Sequence, residues 1–157
     1  KSPKTISAKR KRTKNIRDRR QRKGGDTLKI STKGRYALMI MTYLAEHRND
    51  RAVSLKDIAE HKNMGIKYLE IIVSSLNKAG LLESSRGKNG GYKLNKEPKE
   101  YSLLEILKVA EGSLAPVSCV EEGFCDNAPN CKTNKMWCEL DALITDFLSN
   151  KTLEDIV

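Results

Sequence analysis

Hydrophobic and polar positions between residues 54 and 94 repeat first with a helical period and then with the two-residue period of a strand. Ser54, with Asp57 three residues on, forms a variant of the capping box, which predicts that a short helix begins here. Residues 63–65 interrupt that helix, and the helical period resumes at Ile66. The apolar positions of this second helix fall on one face, at Leu69, Ile72, Val73, Leu76 and Ala79.

A hairpin is predicted to follow the second helix. Gly80 stands where a C′ glycine ends a helix, and two apolar residues come after it. A glycine-rich run from Arg86 to Gly91 then precedes Tyr92-Lys93-Leu94, which alternates as a strand does. Helix, turn, helix and hairpin in this order predict a winged helix-turn-helix.

The flanking segments predict three more helices, one before this unit and two after it. A first helix begins at Ser31 or Thr32, with its apolar stripe at Tyr36, Ala37, Ile40, Met41 and Leu44. After a connection through Pro98, the capping-box pattern of Ser102 and Glu105 opens a short helix that Gly112 ends. Residues 113–131 show no periodicity. The predicted fold class is mainly α: a winged helix-turn-helix with a small β-hairpin wing and a long C-terminal dimerisation helix.

That last helix begins near Thr133 and is amphipathic. Its apolar stripe consists of Trp137, Leu140, Ile144, Phe147 and Leu148. Such a stripe must be buried against something, and helix-turn-helix proteins commonly pair about a two-fold axis. We therefore expect a homodimer; packing of the stripe on its own domain is the alternative.

The outward face of the second helix predicts contact with double-stranded DNA. It carries hydrogen-bonding side chains of the kind that read base edges in a major groove, namely Lys67, Tyr68, Glu70, Ser74, Ser75 and Lys78. Arg86 and Lys88 flank the glycine-rich tip of the wing, where they can approach a narrow minor groove. A merely solvated face, a flexible hairpin, or a winged helix that binds proteins are the alternatives.

The distribution of charge supports this assignment and divides the chain. The net charge is +10, and residues 1–27 alone hold 12 Lys and Arg against 2 Asp. Residues 28–96 carry 13 basic and 6 acidic groups, whereas residues 97–157 carry 5 basic and 12 acidic groups. The basic part is the one predicted to dock on DNA. We expect a disordered basic tail (1–27), a DNA-binding domain (28–96), a connecting helix with a cysteine sensor loop (97–132), and a dimerisation helix with the C-terminus (133–157).

Four cysteines lie in the sensor loop and the start of the last helix: Cys119, Cys125, Cys131 and Cys138. A local, even-numbered cluster in an intracellular protein favours metal or redox chemistry over structural disulfides. The spacing C-x5-C-x5-C-x6-C is too long for the C-x2-4-C pairs of a zinc knuckle. A long irregular loop can wrap an iron–sulfur cluster, and a redox-sensing thiol pair is the competing interpretation.

Other functions are not favoured by the sequence. There is no run of 18 apolar residues and no signal-peptide pattern before the domain, so we expect a cytoplasmic protein. No glycine-rich phosphate loop and no nucleophile with an adjacent base is evident, so an enzyme is not expected. His47 and His61 are isolated and are interpreted as surface residues rather than metal ligands.

The separated motifs of residues 28–157 resemble those of the IscR, NsrR and CymR type of regulator, the Rrf-two family. The motifs that carry the resemblance are Lys29-Ile30-Ser31-Thr32-Lys33-Gly34-Arg35-Tyr36-Ala37, Tyr68-Leu69-Glu70, Ala79-Gly80-Leu81, Arg86-Gly87, Gly90-Gly91-Tyr92 and the three-cysteine loop followed by Trp137. The resemblance implies a homodimeric winged-helix transcription factor that binds palindromic promoter DNA. It implies that Glu70 reads a cytosine edge and Arg86 enters the minor groove, and it adds Lys33 and Arg35 to the candidate DNA contacts.

For the cofactor, the resemblance to cluster-bearing members implies that Cys119, Cys125 and Cys131 ligate an iron–sulfur cluster, [2Fe–2S] or [4Fe–4S]. Cluster-free members sense cysteine metabolism through a partner enzyme and lack this triad. Three residues after the third cysteine, where the IscR subtype has a histidine ligand, this chain has Asn134. The fourth ligand is then Cys138, a carboxylate such as Glu139, or a group from the other subunit. A thiol or zinc sensor on the same scaffold is the alternative function.

The basic tail precedes the whole of this resemblance, which begins at Leu28. Regulators of this type open with methionine at that position, and leucine codons include an alternative bacterial start. Residues 23–26, Lys-Gly-Gly-Asp, are what a purine-rich ribosome-binding site would encode. We expect residues 1–27 to be a translated leader; a basic arm that binds DNA nonspecifically is the alternative.

Overall fold

The structure, a computed structural model, describes residues 30–49, 51–87, 90–121 and 127–157. In these ranges the helices are α1 (Thr32–Glu46), α2 (Leu55–Lys62), α3 (Ile66–Lys78), α4 (Leu103–Glu111), α5 (Ser118–Glu121) and α6 (Asn134–Ser149). The strands are β1 (Leu82–Ser85) and β2 (Gly91–Leu94), antiparallel, with Leu82 opposite Leu94 and Ser85 opposite Gly91. Short 3-10 turns lie at Pro98–Glu100, Ala128–Asn130 and Glu154–Ile156. The predicted mainly α fold with a β-hairpin wing is confirmed. The predicted basic tail, residues 1–27, lies outside the described residues.

The start and end signals of the helix-turn-helix act as predicted. The Ser54 hydroxyl accepts from Asp57 N at 3.1 Å, and the Asp57 carboxylate accepts from Ser54 N at 3.3 Å, which closes the capping box of α2. Asn63 ends α2 in the left-handed region at φ 51°. After α3, Gly80 at φ 74° donates to Asn77 O and Leu81 donates to Leu76 O, both at 3.0 Å. These two bonds form a Schellman motif, which turns the chain from α3 into the wing.

The predicted capping box of α4 forms only in part within the described residues. Ser102 Oγ accepts from Glu105 N at 3.1 Å, as a cap does. The Glu105 carboxylate, however, lies 3.6 Å from Lys96 Nζ instead of closing the box on the backbone of Ser102. Gly112 ends α4 with φ 85°, as predicted. A long-range ion pair has thus replaced half of a local motif.

The hydrophobic core is built where α1 crosses α3 and α4. Its fully buried side chains include Ala37, Ile40, Met41, Leu44, Ile58, Leu69, Ile72, Val73, Leu76, Leu81, Tyr101, Ile106 and Leu153. The predicted stripes of α1 and α3 therefore face each other and the buried side of α4, and their burial supplies the main driving force for this arrangement. Ala79 is the exception, because it caps the end of α3 and is exposed. The turn residue Met64 also contributes to this core.

The start of α1 and the end of α4 are joined by a contact between residues 80 positions apart. Ser31 N donates to Glu111 Oε1 at 2.9 Å. A side chain at Gly34 would overlap the Glu111 carboxylate and Ile30, so only glycine leaves room for this contact. Because Gly112 follows directly, the contact fixes the point at which the chain leaves α4 for the cysteine segment.

Tyr101 is buried under the base of the wing. Its hydroxyl accepts from Asn95 N and Lys96 N, both at 2.9 Å, and lies 3.0 Å from Leu81 O and 2.6 Å from Asn95 Oδ1. Burial raises the pKa of the Tyr101 phenol above its ordinary value of 10.0. The neutral hydroxyl therefore ties the end of β2 to the start of β1.

The two histidines lie against the same tyrosine. The rings of His47 and His61 stand 4.2 Å and 4.8 Å from the ring of Tyr43, and His47 Nδ1 lies 2.8 Å from Tyr43 O. His61 is exposed as predicted, whereas His47 is half-buried because its ring covers Tyr43. Their contacts are with an aromatic ring and a backbone carbonyl, which is a packing role.

Helix α6 packs on α4 and α5 with one face and leaves a second apolar face in solvent. The predicted stripe is divided between the two: Leu148 packs against the core and Trp137 and Ile144 are half-buried, whereas Phe147 is 61% exposed. Leu143, at 67% exposed, was not in the predicted stripe and lies on the same side as Phe147 by helical spacing.

Two short elements within residues 113–131 were not predicted. Residues 113–131 were expected to be irregular, but α5 and the 3-10 turn Ala128–Asn130 form single turns of helix there. One turn is too short to produce a recognisable apolar period.

Within the ranges that the structure describes, no helix has both the length and the apolar character needed to cross a bilayer.

Candidate nucleic-acid interface and cysteine segment

The outward face of α3 is a continuous polar surface beside the wing. Leu69, Ile72, Val73 and Leu76 anchor α3 in the core. The predicted side chains Lys67, Tyr68, Glu70, Ser74 and Lys78 are all exposed on the opposite side. Ser75 is the exception, because it is half-buried and its hydroxyl donates to Ile71 O at 2.9 Å within the helix. Donors and acceptors that could read base edges therefore project from one rigid helix.

Helix α1 contacts the start of α3 through a pair of tyrosines. The rings of Tyr36 and Tyr68 meet edge to face, with centroids 5.8 Å apart. Arg35, which precedes Tyr36, is exposed, and Lys33 is half-buried. The structure thus packs Tyr36, which follows the predicted DNA contacts Lys33 and Arg35 on α1, against Tyr68 near the start of α3.

The wing is fixed to Val53, which precedes the N-cap residue of α2. Val53 and Tyr92 exchange backbone hydrogen bonds of 3.0 Å and 2.9 Å. A Cβ at Gly91 would overlap the Val53 carbonyl, so this close approach requires glycine. Arg86 is exposed just past the end of β1. Lys88, the other predicted contact of the tip, lies outside the described residues.

The cysteines are carried by short elements between α4 and α6. Cys119 is half-buried on α5, Cys131 is half-buried at the end of the 3-10 turn Ala128–Asn130, and Cys138 is exposed on α6. Cys125 lies outside the described residues. Across 30–49, 51–87, 90–121 and 127–157, no three His, Cys, Asp or Glu side chains are grouped to hold a metal ion. A hydrogen bond from Thr133, whose Oγ1 lies 3.4 Å from Cys131 Sγ, lowers the pKa of the Cys131 thiol.

A cavity of about 280 Å³ lies beside this segment, between the end of α4, α5 and α6. Its charged lining consists of Lys108, Glu121 and Asp141. No sequence pattern groups these residues, because they come from three separate helices. Glu139, the carboxylate considered as a fourth ligand, is instead paired with Lys135 at 3.8 Å on the surface of α6. Asn134 lies at the start of α6 and donates its N–H to Cys131 O at 3.3 Å.

Comparison with known proteins decides the family. A sequence profile of the Rrf2 family, described as an iron-dependent transcriptional regulator, matches residues 30–157. The chain belongs to the Rrf2 family. The resemblance stated from the separated motifs is therefore confirmed, and so is the assignment to transcriptional regulators rather than enzymes.

Relatives with two different names are similar to this chain. The transcriptional regulator IscR of Vibrio vulnificus is 36% identical over 130 residues, which cover 83% of this chain and 77% of that protein. The solved structure of CymR, the global cysteine regulator of Bacillus subtilis, is 40% identical with a TM-score of 0.68 and covers 82% of this chain and 95% of CymR. IscR of T. potens is 38% identical with a TM-score of 0.66 and covers 82% and 85%. Family membership thus assigns transcription regulation and DNA binding to this chain.

Proposed function

We propose that this Rrf2-family regulator acts as a homodimer that binds palindromic promoter DNA and senses iron–sulfur status or redox stress through a cluster held by Cys119, Cys125 and Cys131. The observation that carries the proposal is the polar, exposed face of α3 beside an exposed wing arginine. A helix of about 10–12 Å diameter with its side chains fits a major groove about 12 Å wide.

Glu70 and Arg86 take different parts in this docking. The Glu70 carboxylate is exposed on α3, where it can accept a hydrogen bond from cytosine N4. Arg86 extends from the end of β1, where a guanidinium can enter a minor groove and neutralise phosphate charge. Lys67, Tyr68 and Ser74 supply further hydrogen bonds along α3, and Lys33, Arg35 and Lys88 supply additional contacts to the DNA.

The homodimer is supported by the second apolar face of α6. Met136, Leu143 and Phe147 are 48%, 67% and 61% exposed, and their spacing of seven and four residues puts them in one row. Three large apolar side chains in one row on a solvated helix are typical of an interface. A second copy of the same helix, related by a two-fold axis, would cover this row with an identical row.

The cysteine segment fits an iron–sulfur cluster by its donor chemistry. Cys131 has a thiol with a lowered pKa, which favours the thiolate that ligates iron. A bound cluster would supply a group that is lost or oxidised under stress. Because the chain has Asn134 where a histidine ligand stands in the IscR subtype, the fourth ligand comes from elsewhere, with exposed Cys138 as the candidate on this chain.

A cluster-free thiol sensor is the second candidate, and two observations favour it. The Thr133 hydroxyl that lowers the pKa of Cys131 also favours reaction of this partly exposed thiol with oxidants. The similarity to CymR, named as a cysteine regulator, points the same way. A zinc sensor on this scaffold would use the same thiols.

Binding of the full chain to duplex DNA tests the docking. With an operator selected from random duplexes, Glu70→Ala should relax the preference for cytosine at one position by about 5-fold to 100-fold, as expected for a contact of about 1–3 kcal/mol. Arg86→Ala should weaken binding to all duplexes and lower the salt dependence by about one phosphate contact. Lys135→Ala, which removes one positive charge from α6, is the matched control and should change neither. If Glu70→Ala and Arg86→Ala both bound DNA with wild-type affinity, preference and salt dependence, the proposed docking would be contradicted.

A further inference from the structure

One apolar side chain interrupts the polar face of α3. Ile71, in the middle of α3, is 58% exposed, which is more than Ile66 or Tyr68 near the start of the helix. A single exposed apolar residue is ordinary on a protein surface and needs no explanation by itself. On a surface that docks on DNA, however, an exposed apolar side chain would contact the bases.

Ile71 lies in the middle of the outward face. At 100° per residue, it falls in the row formed by Lys67, Ser74 and Lys78, at spacings of four, three and four residues. This row is directly opposite the buried stripe. Ile66 lies at the edge of the face, and Tyr68 leans on Tyr36. Of the three exposed apolar side chains of α3, Ile71 is therefore the one directed away from the core.

A major groove offers a single apolar group to such a side chain. The edges of the bases present hydrogen-bond donors and acceptors, and thymine adds its 5-methyl group. An isoleucine in a helix is held in one χ1 rotamer, so little entropy is lost when it is placed against a methyl group. Opposite any other base edge, Ile71 would cover polar groups without pairing them, which costs free energy.

We propose that Ile71 is a specificity-determining residue that packs on the 5-methyl group of a thymine close to the cytosine that Glu70 reads in each half-site. The assignment rests on the proposed docking of α3 in the major groove. It predicts that the preferred operator contains a thymine whose identity is recognised through its methyl group rather than through its hydrogen bonds.

Deoxyuridine provides a direct test, because it pairs as thymidine does and lacks only the methyl group. An operator is first selected with the wild-type full chain, and each thymine of a half-site is then replaced by deoxyuridine in turn. Replacement at one position should weaken wild-type binding about 4-fold per half-site, as expected for the loss of one buried methyl group. Ile71→Ala should bind the two operators equally, so the two changes are not additive.

Two variants separate this effect from a general loss of binding. Ile66→Ala removes an exposed isoleucine from the edge of the same helix and should retain the 4-fold effect. Ile71→Gln should shift the preference at that position towards adenine, because an amide pairs with adenine N6 and N7. Thermal melting of Ile71→Ala should match the wild type, since the side chain is exposed.

The outcomes distinguish this inference from the docking on which it rests. Specific operator binding that is insensitive to the methyl group of every thymine would overturn the assignment of Ile71 alone. Equal sensitivity in Ile71→Ala and wild type would overturn it as well. Absence of any sequence-specific duplex binding would overturn the docking of α3, and the assignment of Ile71 with it.

Discussion

The hydroxyl group of Tyr101 joins the base of the wing to the chain that leaves α3. It accepts two backbone N–H groups, from Asn95 and Lys96, and lies within hydrogen-bond distance of the Leu81 carbonyl. The tyrosine that carries this hydroxyl is fully buried. Together with the Val53–Tyr92 backbone hydrogen bonds, this hydroxyl holds the wing that carries Arg86 against the rest of the domain.

Removal of that hydroxyl should destabilise the fold. Tyr101→Phe leaves two backbone donors without their acceptor, which should lower the free energy of unfolding by about 1–3 kcal/mol. Tyr68→Phe, which removes a hydroxyl from an exposed tyrosine on α3, is the control and should cost less than about 0.5 kcal/mol. Urea denaturation measures both. A Tyr101→Phe protein as stable as the control would mean that the hydrogen bonds at the wing base contribute nothing net.

The role of the Tyr101 hydroxyl could not be predicted from the sequence. Tyr101 stands next to the Ser102 cap and has no local pattern that indicates a buried hydroxyl, because its partners come from residues 81, 95 and 96. The exposed candidates Lys67, Glu70 and Ser74 were predictable, since they follow from the phase of the apolar positions in α3. Ile71 was not singled out as a DNA contact, because an apolar residue is not expected among base-reading side chains until its exposure is known.

At the scale of the element, helix boundaries were predicted where they depend on local signals. Ser31, Ser54 and Gly80 mark the ends of α1, α2 and α3 through hydrogen bonds within a few residues. Of the capping box predicted from Ser102 and Glu105, only the hydrogen bond to the Ser102 hydroxyl forms, because the Glu105 carboxylate pairs with Lys96 outside the helix. The phase of α6 could not be resolved from sequence, since a helix with two apolar faces does not reveal which face packs on its own domain.

The contact between α1 and α4 should contribute to stability and to the position of the cysteine segment. Glu111→Ala removes a charge-assisted hydrogen bond from Ser31 N and a negative charge from the start of α1, so the free energy of unfolding should fall by about 1–2 kcal/mol. In Glu111→Gln, which keeps a hydrogen-bond acceptor, the free energy of unfolding should fall by less. Gly34→Ala displaces the same carboxylate, so adding Glu111→Ala to it should cost little more. Fully additive losses in the double variant would contradict a shared contact.

The exposed row of α6 should mediate the homodimer. Leu143→Asp places a charge in the middle of the proposed contact, and burial of an unpaired charge costs several kcal/mol, so the dimer should dissociate. Ala142→Asp adds the same charge at an exposed position about 100° from Leu143 around the helix and should leave the dimer intact. Light scattering at micromolar concentration measures the mass. A wild-type mass of one chain, or a dimer that tolerates Leu143→Asp, would refute this interface.

For the whole molecule, the layout connects the cysteine segment to the DNA-reading face through packed helices. The segment leaves α4 next to the Glu111 contact with α1 and enters α6, which packs back on α4. Helix α1 in turn packs on α3, and its Tyr36 touches Tyr68. Packed helices thus connect the cysteine segment to α3, the proposed DNA-reading helix, through α4 and α1, and to the proposed dimer contact through α6.

A bound cluster should be visible in the absorption spectrum. Protein reconstituted under anaerobic conditions with iron and sulfide should be brown with charge-transfer bands, and aerobic preparation should leave it colourless. Cys119→Ser, Cys125→Ser and Cys131→Ser should each lose the bands. Cys138→Ser is the informative variant for the fourth ligand: loss of the bands assigns Cys138, and unchanged bands direct the search to a carboxylate or the partner subunit. Zinc bound without sulfide would favour the zinc-sensor alternative instead.

The most direct test of the central claim is to measure the affinity of one protein preparation for its operator before and after the cluster is removed. Fluorescence anisotropy under anaerobic conditions measures both affinities. Coupling between an effector site and a binding site typically changes affinity 5-fold to 150-fold, so the two isotherms should differ by about 10-fold or more. In Cys131→Ser the same treatment should change nothing, because no cluster is held. Superimposable wild-type isotherms for protein with and without its cluster would contradict the claim that the cysteine segment controls DNA binding.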